Sequence, residues 1–489
     1  MNTLDVALIL IYFVGMLLLG VYASRKQNTM DDYFLGGRNL STFSLTCLWV
    51  CAWIGGSSII GTAAYAYDIG IVSAWYVLNT SIGLVLFGVT MSKPVKRISD
   101  RFDFITITDF LEARYDRKTG SIATICILLS SIGNTASQFI AAAAIMNVLT
   151  GWSLGACYLI TAAIITLYVS LGGLLAVTYT DLAQMILLIA GIVFVAVPIA
   201  GHAMAEQGVS LQSSLPPEFF SSGNGDWGHI IAFSVSSILS FFAFMTSYTR
   251  IITARSAKSA RNATLYSALI VVVLAFAATF LGMAARVLVP NLSDSNNAMA
   301  ELIVDVFPHG VKGFVLVGIL SAIMSTADVS LVIGSTNITK DIYLRFINPN
   351  ASQKTILRLG AAASFGVGVL GALLGWFNQD IMDVVLLTNT ITTAGMILPI
   401  LSVFFWRRGS SKGAYVSILS SVVVIAIWFL GAGLTDWPIF QIDSLWPSLA
   451  ISSILFIVCS LTGKQSDLER SKAEHFYAVA KKDEPEPTV

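Results

Sequence analysis

Apolar residues recur along this chain in runs of about twenty, separated by short polar stretches. The runs lie near residues 4–23, 42–66, 72–92, 119–149, 155–173, 181–203, 228–253, 262–288, 313–339, 356–376, 380–405, 413–432 and 445–462. At 1.5 Å of rise per residue, a helix of roughly twenty residues crosses the hydrocarbon core of a bilayer, and a helix satisfies its own backbone there. The pattern therefore predicts an all-α polytopic membrane protein with about 13 transmembrane helices.

Two runs break the uniform apolarity. The second, STFSLTCLWVCAWIGGSSIIGTAAYAY, places Gly55, Gly56, Ser57 and Ser58 at its middle. A glycine pair followed by a serine pair at membrane depth can open a helix and free its carbonyls, as in secondary transporters, or can let two helices pack closely. The ninth, GFVLVGILSAIMSTADVSLVIGSTNIT, carries Ala322, Ser325, Thr326 and Asp328 at its centre. Uncharged hydroxyl and carbonyl oxygens suit a monovalent cation better than a transition metal, which favours imidazole or thiolate. The alternative is that the hydroxyls bond back to their own helix and bend it. Asp328 argues for the ion, because a carboxylate inside a membrane is rare outside functional positions.

Composition agrees with the pattern. Of 489 residues, 56% are hydrophobic and 11% charged, against about 25% charged in a soluble domain. Numbering the connections alternately puts 26 of the 28 Lys and Arg residues on one side, with only Arg286 and Lys312 on the other. Basic residues mark the cytoplasmic side, which predicts a plasma or inner membrane protein with its N-terminus outside and its C-terminus in the cytoplasm. In this count Arg250, Arg255, Lys258 and Arg261 lie at the end of the seventh run. The first run lacks a basic start and has Arg25 and Lys26 after it, so it reads as a retained helix rather than a signal peptide. Cys47, Cys51, Cys126, Cys157 and Cys459 show no ligand spacing, which argues against zinc or redox chemistry. Residues 206–227 and 289–311 are the longest outer loops and are expected to be partly ordered as a lid. The tail from Lys464 is expected to be polar and disordered at its end. Acidic and basic residues balance at 28 each, and no nucleic-acid partner is expected.

DDYFLGGRNL (residues 31–40), GGLLAVTYTDLAQ (172–184) and SAIMSTADVSL (321–331), in that order, resemble the sodium/solute symporter family. WIGGSSIIGTAAYAY, TYTDLAQ and MSTADVS are most similar to its high-affinity choline transporter branch. The resemblance implies a leucine-transporter-like core of two inverted five-helix repeats, residues 42–205 and 228–405. Residues 1–41 would form the first helix and a cytoplasmic loop, 206–227 an outer loop, 406–462 two peripheral helices and 463–489 a cytoplasmic tail. It implies a sodium site on the carbonyls of Cys51, Ile54 and Ala322 and the hydroxyls of Ser325 and Thr326. Asp181, in TYTDLAQ, matches an Asp of the family, and with Asp328 it would form a second cation site. The alternatives are a helix-capping Asp181 and an Asp328 bonded to neutral neighbours.

Solute would bind at Trp53, Gly55 and Ser58, since the choline branch carries Trp where proline carriers have an acidic residue, and an indole face attracts a quaternary ammonium. Phe244 aligns with a second Trp of that branch, and Phe241, Phe244 and Tyr248 recur at helical spacing, which is also an ordinary packing pattern. Two further aromatic positions of the branch fall at Ile82 and Ser137. Asn134 and Gln138, four apart, instead put amides on one face toward the expected cavity, with Asn79 a possible addition or a helix bridge. The expected activity is sodium-coupled import of a small polar organic solute, either choline, another quaternary amine or an amino acid, by alternating access. No catalytic residue is expected, sodium is the only ion called for, and the partners are the solute, sodium and the lipid bilayer around a monomer or weak oligomer. A transporter-like sensor, a proton-coupled carrier and a channel are the alternatives.

Overall fold

The computed structural model describes residues 2–221, 227–377, 381–435, 437–463 and 465–481, and every named element among them is helical. Nine of these helices are long and apolar enough to cross a membrane, or ten when the bent pair Ile230–Ala243 and Met245–Ile252 counts as one. Thirteen runs give fewer continuous helices for identifiable reasons. Leu154–Glu206 holds two runs, joined at Gly173, whose φ of 47° and ψ of −150° turn the chain sharply. A side chain at Gly173 would meet the Tyr33 carbonyl at 2.6 Å, so glycine is required there on both counts. The sixth run consequently starts near residue 174 rather than 181. The second run stops after Thr42–Trp53 and resumes beyond Ile54 and Gly55, its later half joining the third. The eleventh, Ile381–Phe405, follows residues 378–380, which lie outside the described set.

Contacts sort the connections into two ends. At one end Arg38 pairs with Asp103 at 2.6 Å, Leu40 bridges to Ala254, Arg345 pairs with Glu112 at 2.9 Å and Arg114 donates to the Gly409 carbonyl at 2.9 Å. These are the basic connections after the first, third, seventh, ninth and eleventh runs. At the other end, Asp5 accepts from the Gly310 and Gly313 amides at 2.8 Å, and Tyr67 bonds the Val289 carbonyl at 3.1 Å. Residues 206–221 pack at that end, with Phe219 against Gly70 and Met283; residues 222–226 lie outside the described set.

The basic end is cross-linked. Asp109, on the short helix Ile107–Arg114, pairs with both Lys340 and Arg345 from the end of the ninth run. Burial alone would push the Asp109 carboxyl up, but Lys340 and the Ile105 and Thr106 amides hold it below the ordinary carboxylate range. It therefore stays ionised at neutral pH.

The tail carries a helix that the sequence did not single out. Asp467–Lys481 forms a helix with Ala473, Phe476 and Ala480 buried, while the terminal 482–489 lie outside the described residues. Phe476 stacks on Phe102 with centroids 5.0 Å apart, and Arg97 donates to the Ala480 carbonyl at 3.2 Å. Three buried apolar side chains and a few part-buried polar contacts hold this helix, so Phe476→Ala is expected to undock it. Hydrogen exchange should then show protection across 467–481 falling by about tenfold or more, with the membrane helices unchanged.

Candidate functional site

The break in the second run faces the middle of the helix Val311–Thr336, which forms the ninth run. Ile54 has φ −106° and ψ 86°, so the helix that ends at Trp53 leaves its last carbonyls without their usual partners four residues on. Ser58 Oγ takes one of them, donating to the Trp53 carbonyl at 3.2 Å. The Cys51 carbonyl is met from across the bundle by Ser325 Oγ and Thr326 Oγ1, both at 3.1 Å. The same hydroxyls reach the Ala322 carbonyl at 3.0 and 3.2 Å. The back-bonding reading is thus present, yet each hydroxyl also contacts a residue more than 270 positions away in sequence. Four oxygens, two of them carbonyl and two hydroxyl, share one buried point and offer more lone pairs than hydrogens, a donor set that fits a hard monovalent cation. Ile54 is fully buried beside them, but among the described residues its carbonyl makes no hydrogen bond to Ser325 or Thr326.

Asp181 and Asp328 lie behind this point. Asp181 sits inside the helix that begins after Gly173, so it does not cap a helix start; it is fully buried and neither carboxylate oxygen has a hydrogen-bond partner among the described residues. Its backbone carbonyl accepts from Cys51 Sγ at 3.3 Å, which ties it to the oxygen cluster. Asp328 is equally buried and accepts from the Tyr168 hydroxyl through Oδ1. Asp181 interacts electrostatically with both Asp328 and Arg250. Arg250 lies at the end of the seventh run, as the sequence places it, but it is 1% exposed and enclosed in Met245–Ile252. Nothing in a lone Arg at the end of an apolar run distinguishes a loop residue from one drawn inward by a carboxylate. Tyr168, Tyr12 and Gln184, the last two joined at 3.2 Å, are likewise members that the sequence did not single out.

Around the break, Trp53 stacks on Phe241 with centroids 3.7 Å apart and 16° between planes, and Phe244 follows at 5.9 Å and 14°. Phe244 is itself the break in the seventh run, at φ −84° and ψ 136°. That kink takes Tyr248 off the face it was expected to share, and Tyr248 packs instead on Phe87, Phe110 and Phe404. Gly55 is hemmed in, since a Cβ there would lie 2.9 Å from Thr326 Oγ1 and 3.1 Å from Gln138 Oε1. Asn134 and Phe244 line a cavity of about 40 Å³ with Ser330 and Thr392, room for a few waters. Ser137 is buried and donates to the Asn134 carbonyl at 2.8 Å. Ile82 is 40% exposed on the outside of the bundle and does not line the site. Asn79 is fully buried and accepts from Thr80 at 3.3 Å.

With this geometry in hand, the comparisons are specific. The model of the sodium:solute symporter family matches residues 33–420. The sodium/pantothenate symporter of Escherichia coli strain K12 is 26% identical over 476 residues, covering 91% of this chain and 94% of that protein. High-affinity choline transporter 1 of Caenorhabditis elegans is 23% identical over 477 residues, covering 90% and 80% respectively. A Na+-coupled sialic acid symporter, solved in a substrate-bound outward-open state, superposes with a TM-score of 0.79 at 19% identity, covering 95% of this chain and 99% of that one. At that identity the likeness establishes the fold, the all-α leucine-transporter-like bundle.

Proposed function

Because this chain belongs to the sodium:solute symporter family, we propose that it imports a small polar organic solute together with sodium by alternating access. Sodium would bind the carbonyls of Cys51, Ile54 and Ala322 and the hydroxyls of Ser325 and Thr326, and solute would bind beside it at Trp53, Gly55, Ser58, Asn134, Gln138 and Phe244. The observation that carries this reading is the meeting of Ser325 and Thr326 with the Cys51 carbonyl at 3.1 Å across the helix break. An ion held there joins a helix of residues 42–205 to one of residues 228–405, the two proposed repeats. Its binding energy therefore favours one angle between them over others. The breaks at Ile54 and at Phe244 fall in the first helix of each segment, which supports the repeat assignment. Asp181 and Asp328 are proposed to hold a second cation. The cross-linked end that carries Asp109 and Lys340 is assigned to the cytoplasm.

A sodium gradient supplies the drive, each ion contributing roughly 2.3 kcal/mol per 100 mV before its concentration term. Purified protein in proteoliposomes is expected to accumulate labelled proline, choline or a member of a wider amine and amino-acid pool under an inward sodium gradient, but not under potassium. Sodium-dependent binding without accumulation would overturn transport in favour of a sensor, and non-saturable flux would indicate a channel.

A further inference from the structure

Gln138 is 7% exposed, and its Oε1 has no hydrogen-bond partner among the described residues. The orientation of that amide is set by its neighbours. Ser137 Oγ donates its single hydrogen to the Asn134 carbonyl at 2.8 Å, so toward Gln138 it can only accept, and Gln138 Nε2 donates to it at 3.4 Å. The carbonyl end of the amide must then point the other way, toward Gly55, where a Cβ would lie 3.1 Å from it. The nearest hydroxyl on that side is Thr326 Oγ1, whose hydrogen is taken by the Cys51 or Ala322 carbonyl. Gln138 Oε1 therefore has no donor among the described residues, and a donor or a cation supplied from outside the protein would satisfy it.

The aromatic side of the site decides between kinds of cation. A cage for a fully methylated ammonium presents several aromatic faces to it at once, each within about 6 Å of the charge. Here Phe241 and Phe244 lie at 16° and 14° to the plane of the Trp53 indole, and Phe241 covers one of its faces at 3.7 Å. One ring face and one orphaned carbonyl suit a nitrogen that keeps at least one hydrogen. We infer that the transported solute is a primary, secondary or tertiary ammonium compound whose N–H is accepted by Gln138 Oε1, and that quaternary ammonium compounds are discriminated against at this position. This rests on placing the solute at the helix break, as in the proposed function.

Pairs that differ only by N–H against N–CH3 at constant charge test it: N-methylproline against N,N-dimethylproline, and dimethylaminoethanol against choline. Sodium-dependent thermal stabilisation of the purified full chain is the readout, in wild type, Gln138→Ala and the volume-conserving Gln138→Met. In any pair that binds, the N–H member should bind wild type at least about tenfold more tightly, and both variants should reduce that ratio below about threefold. Stabilisation by sodium alone should be unchanged in both variants, which also verifies that they fold. Equal or tighter binding of the quaternary member, discrimination that survives in both variants, or binding of neither pair would overturn the inference. So would a raised sodium requirement with discrimination intact, since the amide would then be an ion ligand. Failure of the symporter reading would look different: wild type would show no stabilisation by sodium over potassium, whatever the solute.

Discussion

Thr326→Ala and Ser325→Ala are each expected to raise the sodium concentration for half-maximal uptake by about tenfold to a hundredfold, with little loss of protein in the membrane. Each removes one of two hydroxyls that share the Cys51 and Ala322 carbonyls. Losing a buried polar partner costs about 1–3 kcal/mol, and each 1.4 kcal/mol is a factor of ten. Stability should suffer less than ion binding, because the carbonyls left behind remain close to the other hydroxyl. Thr326 carries the additional expectation of weakened solute binding, since its Oγ1 adjoins Gly55 and, beyond it, Gln138. Uptake measured against sodium concentration, normalised to transporter in the membrane, checks this. An unchanged sodium requirement in both variants would remove the site.

The sequence carried the helices because hydrophobic length is a local signal, and it carried the pairing of Cys51 with Ser325 and Thr326 through motifs in two distant segments. What it could not carry depended on tertiary contact. Arg250 reads as one of several basic residues at the end of the seventh run until it is seen to be buried and to interact electrostatically with Asp181. Tyr168 is an ordinary aromatic in an apolar run until Asp328 is found at its hydroxyl. Ile82 was aligned to a cage position by register alone, and a shift within a helix carries a side chain from the cavity to the bilayer. Phe241 lies nearest on Trp53, with Phe244 equally parallel but farther off, an order that helical spacing alone does not set. The tail helix was missed because its apolar positions are few and its partners, Phe102 and Phe104, lie hundreds of residues away.

Asp328→Asn is expected to lower the charge moved per solute by one and to reduce the accumulation reached at 100 mV by about fiftyfold, the equivalent of one lost ion. Asparagine keeps the side-chain volume and an oxygen able to accept from Tyr168, so the change isolates the charge. Asp181→Asn should behave differently. Asp181 faces the buried guanidinium of Arg250, and neutralising it strands that charge, so this variant is expected to lose stability as well as coupling. Reversal potentials in proteoliposomes give the charge-to-solute ratio, and thermal unfolding separates the two effects. An unaltered ratio in both variants would leave a single sodium as the whole driving ion. With both carboxylates ionised, Asp181, Asp328 and Arg250 sum to one negative charge in a region closed to water, which one monovalent cation neutralises. Without a second sodium the cluster would have to take up a proton instead, because an uncompensated buried charge is costly, so the coupling charge at this cluster is carried by sodium or by a proton.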